Sequence, residues 1–197
     1  MEHDENCNLC KETTLRVGDT SPYGAVVICT IGTEPENTWL ATISPKTGGD
    51  PDKDFTIQLM PHYHYTNFTE VNANPTLAQN YGIIFAKISK AVFDIMAEQD
   101  PHFTDPSDTR ESSVSIASYG KWTTWNEKKE HLHIKIFPFR NAIGQPYTVD
   151  SSFGRKEVHQ DSETGERFIK MMPVEKKMVS TERFTQLKDT FILLLQK

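Results

Sequence analysis

The chain has 197 residues, of which 37% are apolar, 10% aromatic and 24% charged. That length suits one domain, or one domain with an appendage, and the composition excludes both a disordered and a fibrous protein. No apolar run exceeds the five residues of Phe191–Leu195, far short of the ~20 needed to cross a bilayer. Twenty-seven acids against 21 bases give a formal net charge of −6, with Arg140, Arg155, Lys156 and the Lys128–Lys129 pair scattered rather than clustered. No basic stripe is available to hold a nucleic-acid duplex or an anionic lipid surface, whereas a small anionic ligand in a local cationic pocket stays open.

The opening Met1-Glu2-His3-Asp4-Glu5-Asn6 is acidic and polar, without the apolar stretch of a secretory signal, so the expected compartment is the reducing cytoplasm. There the sequon Asn67-Phe68-Thr69 carries no glycan, and three cysteines do not make a disulfide framework. Residues 1–20 read as irregular. Ala25–Ile31 reads as a buried strand, with Cys29 a small core residue. Thr38–Ser44 alternates and closes at Pro45. Residues 46–52 form a breaker cluster, and Asp54–Met60 is a third strand stopped by Pro61.

Asn74 and Pro75 are start signals for a long helix, with Leu77, Tyr81, Ile84, Ile88, Val92 and Ile95 on one face, ending by Asp100-Pro101. After a polar loop, Val114–Trp122 and His131–Phe137 read as strands separated by 126–130. Lys156–Gln160 and Glu166–Met172 fit a hairpin around Glu163-Thr164-Gly165. A second helix starts at Ser180, with Phe184, Leu187, Phe191, Leu194 and Leu195 on its face. The order predicts an α+β fold: an antiparallel sheet of about five strands with one long helix, plus a C-terminal hairpin and helix.

Two places carry chemistry. Cys7-Asn8-Leu9-Cys10 is a C-x-x-C without the strand and helix that a thioredoxin-like redox motif requires, so it reads as a metal knuckle that needs two further ligands. In Glu130-His131-Leu132-His133-Ile134-Lys135-Ile136-Phe137-Pro138, strand alternation puts His131, His133 and Lys135 on one face and Leu132, Ile134 and Ile136 on the other. His64 or His62, just past a strand end, would complete with Cys7, Cys10 and His131 a two-thiolate, two-imidazole set suited to zinc. Trp122 and Trp125 read as core packing rather than base-stacking platforms, and His3, His102 and His159 as solvated.

These segments resemble the histidine-triad (HIT) superfamily of nucleotide hydrolases and transferases, whose signature alternates three histidines with apolar residues and is usually followed by proline. The stretch from His131 to Pro138 is similar to it, as is the strand ending at Pro61 with His64 after it. The N-terminal C-x-x-C is similar to that of the zinc-bearing branches, which include galactose-1-phosphate uridylyltransferase. The resemblance covers about 7–140. It implies a HIT-like domain, placed over 1–145, with a zinc knuckle; 141–197 has no counterpart in the resemblance, and 146–197 is expected to be an extension packed on the same domain. It also implies structural zinc on Cys7, Cys10, His64 and His131, and a homodimer; from the apolar runs and the charge distribution, neither a membrane nor a nucleic acid is expected as a partner.

By the same resemblance His133 is the nucleophile that attacks the α-phosphorus of a nucleotide, forming a nucleotidyl-histidine. Its Nδ1–H would be held by a backbone carbonyl so that Nε2 faces the phosphorus. Asn126, Thr124 and Lys135 are the candidate substrate-binding residues, Thr123 being a further neighbour. Lys135 stands where the family has His or Gln. A lysine neutralises phosphate as a point charge and is a poor proton donor near its ordinary pKa of about 10.4. Altered hydrolysis, transferase-like chemistry and phosphate binding without turnover therefore all remain open.

Overall fold

The computed structural model describes residues 3–100, 115–121, 131–139, 155–172 and 175–196. In chain order the elements are α1 (Asn8–Thr13), β1 (Val26–Ile31), β2 (Trp39–Ser44), β3 (Lys46–Thr47), β4 (Thr56–Pro61), α2 (Phe68–Asn72) and α3 (Pro75–Gln99). They continue with β5 (Ser115–Lys121), β6 (His133–Phe139), β7 (Arg155–Gln160), β8 (Arg167–Met172), β9 (Lys177–Met178) and α4 (Thr181–Leu195). The expected α+β class is the observed one. Five strands pair antiparallel in the order β1-β2-β4-β6-β5.

Alternation assigns the two faces of this sheet. Trp39, Ala41 and Ile43 of β2, Ile57 and Leu59 of β4, and Ile134 and Ile136 of β6 enter one core with the buried stripe of α3. That stripe is Leu77, Ile84, Ile88, Ala91, Val92, Ile95 and Met96. A bulge between Val27 and Cys29 shifts the β1 register, so Ile28 and Cys29 both join this core while Val27 turns to the opposite face. The Asn74 side chain accepts from Leu77 N–H, and Pro75 follows it where no helical hydrogen bond is lost. Trp39 is fully buried and donates its indole N–H to the Leu77 carbonyl at 2.9 Å, which fixes the start of α3 against β2.

The C-terminal helix belongs to the same core. Ser180 caps α4, and Leu187, Phe191 and Leu195 pack with the sheet and α3, the Phe191 ring lying edge-on to Phe55 with centroids 5.3 Å apart. Arg183 donates to the carbonyls of Pro51 and Lys53, and Val179 N–H donates to the Pro45 carbonyl. These bonds clamp the loop after β2, where β3 and β9 form a two-residue ladder. The hairpin of β7 and β8 turns at the residues expected, with Gly165 at φ 73°, a conformation that favours glycine.

Three features differ from the sequence reading. A short helix, α1, occupies part of the stretch read as irregular. It has no side-chain cap and is six residues long, so tertiary contacts rather than local propensity hold it. The breaker cluster contributes a strand, β3, because a partner far along the chain pairs with it. Lastly, β6 starts at His133 rather than His131, because the His131 carbonyl accepts from a side chain instead of joining a ladder.

None of the described helices is long and apolar enough to cross a membrane. Phe191→Ala should cost about 3–5 kcal/mol in denaturant unfolding, whereas Leu193→Ala, at a position 61% exposed, should stay within about 0.5 kcal/mol.

Candidate metal centre

Cys7 is the residue before the first turn of α1 and Cys10 lies within that turn, so the three-residue spacing brings both thiols to one side of the helix. The opposing ligands come from two other segments. After β4 the chain turns away from the sheet, and the Leu132 amide donates to the Tyr65 carbonyl at 2.7 Å, drawing residues 62–66 against the entry to β6. His64 and His131 thereby meet with ring centroids 5.1 Å apart. The Thr13 hydroxyl lies 2.9 Å from the Cys10 carbonyl and 2.8 Å from that of His62, sharing its one proton between them and tying α1 to this segment.

The ligand atoms of Cys7, Cys10, His64 and His131 all lie within 4.8 Å of one another and can hold a metal ion. Cys10 Sγ is 3.4 Å from Nδ1 of both His64 and His131, and Cys7 Sγ is 3.8 Å from His131 Nδ1. Metal–sulfur and metal–nitrogen bonds of about 2.3 and 2.0–2.1 Å at a tetrahedral angle separate S from N by about 3.6 Å. The donor set therefore fits tetrahedral coordination in both chemistry and spacing. The His131 ring is aimed by its other nitrogen: Nε2–H donates to the Pro61 carbonyl at 2.9 Å, leaving the Nδ1 lone pair toward the thiols. Of the two histidines open as ligands, His64 is in the cluster. His62 instead meets His3, Nε2 to Nε2 at 2.9 Å, so His3 is not simply solvated.

Burial sets the protonation of this centre. It pushes the Cys10 thiol up to about 11 and the His131 imidazole down to about 4, both in the absence of a metal charge. His62 is also lowered, first by burial and then by the charge of His3.

Next to the centre, His133 is half-buried and its Nδ1–H donates to the His131 carbonyl at 2.9 Å. Its Nε2 is thus the nitrogen that carries the lone pair. Lys135 lines a groove of about 390 Å³ on the face of the sheet opposite α3, floored also by Thr42, Ser44, Thr56 and Gln58. Asn126 and Thr124, with Thr123, Trp122 and Trp125, lie outside the described residues. The sequence reading passed over Glu12 and Thr56, both buried and both lining this groove. Burial raises the Glu12 carboxyl above its ordinary range, against a smaller lowering from its hydrogen bond with Ser21. The signal for Thr56 was present, since it shares strand parity with Gln58, whereas Glu12 depends on a helix that the sequence does not announce.

No family model, curated protein or solved structure matches this chain.

The lowered His131 pKa has a definite pH consequence. The unfolded imidazole takes its proton near 6.5 and the folded one only near 4, so the folded chain loses stability as pH falls between those values, by about 3 kcal/mol in all. Denaturant midpoints of chelator-treated protein between pH 7.5 and 4 should show this decline. A flat profile would contradict a neutral buried His131.

Proposed function

We propose that the chain is a HIT-type nucleotide hydrolase or nucleotidyltransferase with a structural zinc on Cys7, Cys10, His64 and His131. What carries this reading is the bond from His133 Nδ1–H to the His131 carbonyl, which leaves the lone pair on Nε2 of a ring that shares strand parity with the groove-lining Lys135. The five-stranded antiparallel sheet and the long α3 on its other face support it. Residues 1–145 would form the HIT-like domain and 146–197 an extension packed on it, the α4 contacts with the core favouring that arrangement. A cytoplasmic homodimer is part of the proposal, because the terminal strands of an open sheet are edges that need covering.

In this mechanism His133 Nε2 attacks the α-phosphorus of a nucleotide. A P–N bond forms as the P–O bond to the leaving group breaks, and the leaving group departs with that electron pair. The oxygen of water or of an acceptor phosphate then attacks the same phosphorus, and the P–N bond breaks with its electrons returning to Nε2. The Lys135 ammonium stabilises charge on the phosphoryl oxygens without moving a proton, and also disfavours protonation of His133. The metal takes no part in these steps; when bound it cross-links α1, the segment after β4 and the entry to β6.

Lys135 in the third position also favours a second reading, a nucleotide-binding module that turns over slowly. Incubation with an α-labelled nucleoside triphosphate separates the two. The enzyme leaves acid-labile, base-stable label on the wild type and none on His133→Ala. A module binds without label, and its residual turnover is the same in His133→Ala.

Metal analysis should give close to one zinc per chain. Cys7→Ser should lower metal content and melting temperature together, since the metal bond energy is also folding energy. A metal-free, fully folded wild type would remove zinc from the proposal while leaving the nucleophile intact.

A further inference from the structure

The groove that holds Lys135 has a wall as well as a floor. Asn8, Leu9 and Glu12 of α1 supply that wall, and Lys46 and Lys176 stand at the rim. Three polar side chains in it, Glu12, Thr42 and Thr56, are more than nine-tenths buried. Glu12 is 4% exposed and Thr56 2%, and the Thr56 hydroxyl has no hydrogen-bond partner among the described residues. A polar atom left unsatisfied in a buried position is costly, and a ligand atom in the groove relieves that cost. Ser21 contributes a hydrogen bond to the Glu12 carboxylate. A carboxylate accepts several hydrogen bonds, so acceptor capacity is left for a ligand. Glu12 is held in place because α1 is pinned on both sides of it: Leu9 and Leu15 pack on the cluster of Val27, Leu40 and Met60, and Cys7 and Cys10 enter the metal centre.

We propose that Glu12 is the specificity-determining residue of this groove, selecting phosphate-linked ligands whose substituent donates hydrogen bonds and rejecting those whose substituent is anionic. The proposal rests on the nucleotide reading of His133 and adds to it the chemistry of the group attached to the phosphate. Lysines at the floor and rim suit the phosphate. The buried carboxylate suits a hydroxyl or ammonium group on the substituent and repels a second anion. Hydroxyl and ammonium are two sources of one recognition chemistry, and the test separates them.

The probes are four esters on the phosphate of AMP, with the same four on UMP: ethyl, 2-hydroxyethyl, 2-aminoethyl and carboxymethyl. Binding is measured by calorimetry on metal-loaded protein carrying His133→Ala, so that no ester is consumed. The hydroxyethyl ester, the aminoethyl ester or both should bind about tenfold or more tightly than the ethyl ester, and the carboxymethyl ester should bind most weakly. Adding Glu12→Gln should remove the distinction between aminoethyl and carboxymethyl, with metal content unchanged as the check that α1 is still seated. Thr56→Val, which breaks no hydrogen bond among the described residues, should weaken all esters alike by about threefold to tenfold.

Equal affinity for all four esters, an unchanged order in Glu12→Gln, or an unaffected Thr56→Val would each overturn the proposal. In those cases wild-type labelling by an α-labelled nucleotide would still uphold the nucleotide reading. If no ester binds and His133 takes no label, both fall together.

Discussion

The carbonyl of Pro61 sets the direction in which the His131 ring presents its lone pair, and three separate stretches of chain depend on that direction. With Nε2–H committed to Pro61, Nδ1 faces the thiols of α1 and the ring stands against His64. The His131 backbone then does a second job, accepting the Nδ1–H of His133. One residue thus takes part in the candidate metal cluster through its side chain and orients the His133 ring through its carbonyl. The two functions are coupled by covalent geometry, and a change that rotates the peptide after His131 disturbs both.

The sheet keeps these functions apart from the core. Residues of one parity on β2, β4 and β6 pack under α3 and α4, and those of the other parity make a face of Thr42, Ser44, Thr56, Gln58 and Lys135. At one end of that face Leu40 and Met60 are covered by Leu9 and Leu15, and beyond them the face opens into the groove. The N-terminal segment therefore does more than contribute two cysteines to the candidate metal cluster. Its apolar residues seal one part of the polar face, and its polar residues line another.

Much of this was legible in the sequence, for reasons that differ by element. The β-strands of the sheet and α3 announce themselves because alternation and the 3.6-residue period are local properties, and Asn74-Pro75 is a local start signal. The four candidate metal ligands could be grouped because C-x-x-C and the two histidine-bearing segments are each sparse patterns whose chemistry is complementary. What stayed hidden is what distant partners create. Helix α1 has neither length nor cap to stand alone, and β3 exists only because Lys177–Met178 comes back to pair with it. The partnering of His3 with His62 crosses 59 positions and leaves no periodic trace. Glu12 stayed hidden for the same reason, since its burial depends on α1 being seated, whereas the face taken by Thr56 follows from its strand parity with Gln58.

The cluster at Cys7, Cys10, His64 and His131 would be a poor hydrogen-bond network by itself. Burial favours a protonated Cys10 and a neutral His131, and a thiol is a weak donor at the 3.4–3.8 Å that separates sulfur from nitrogen here. A divalent cation changes that balance, because its charge favours the thiolate and it uses the His131 lone pair that the Pro61 carbonyl has already aimed. It also joins positions far apart in sequence, with Cys10 and His64 54 residues apart and Cys10 and His131 121 apart. Closing such loops in the unfolded chain is entropically costly, and the cost grows only slowly with loop length. A single coordination centre can therefore fasten α1, the segment after β4 and the start of β6 at once. The short, uncapped α1 has the most to gain from it, and with α1 in place the groove acquires its wall.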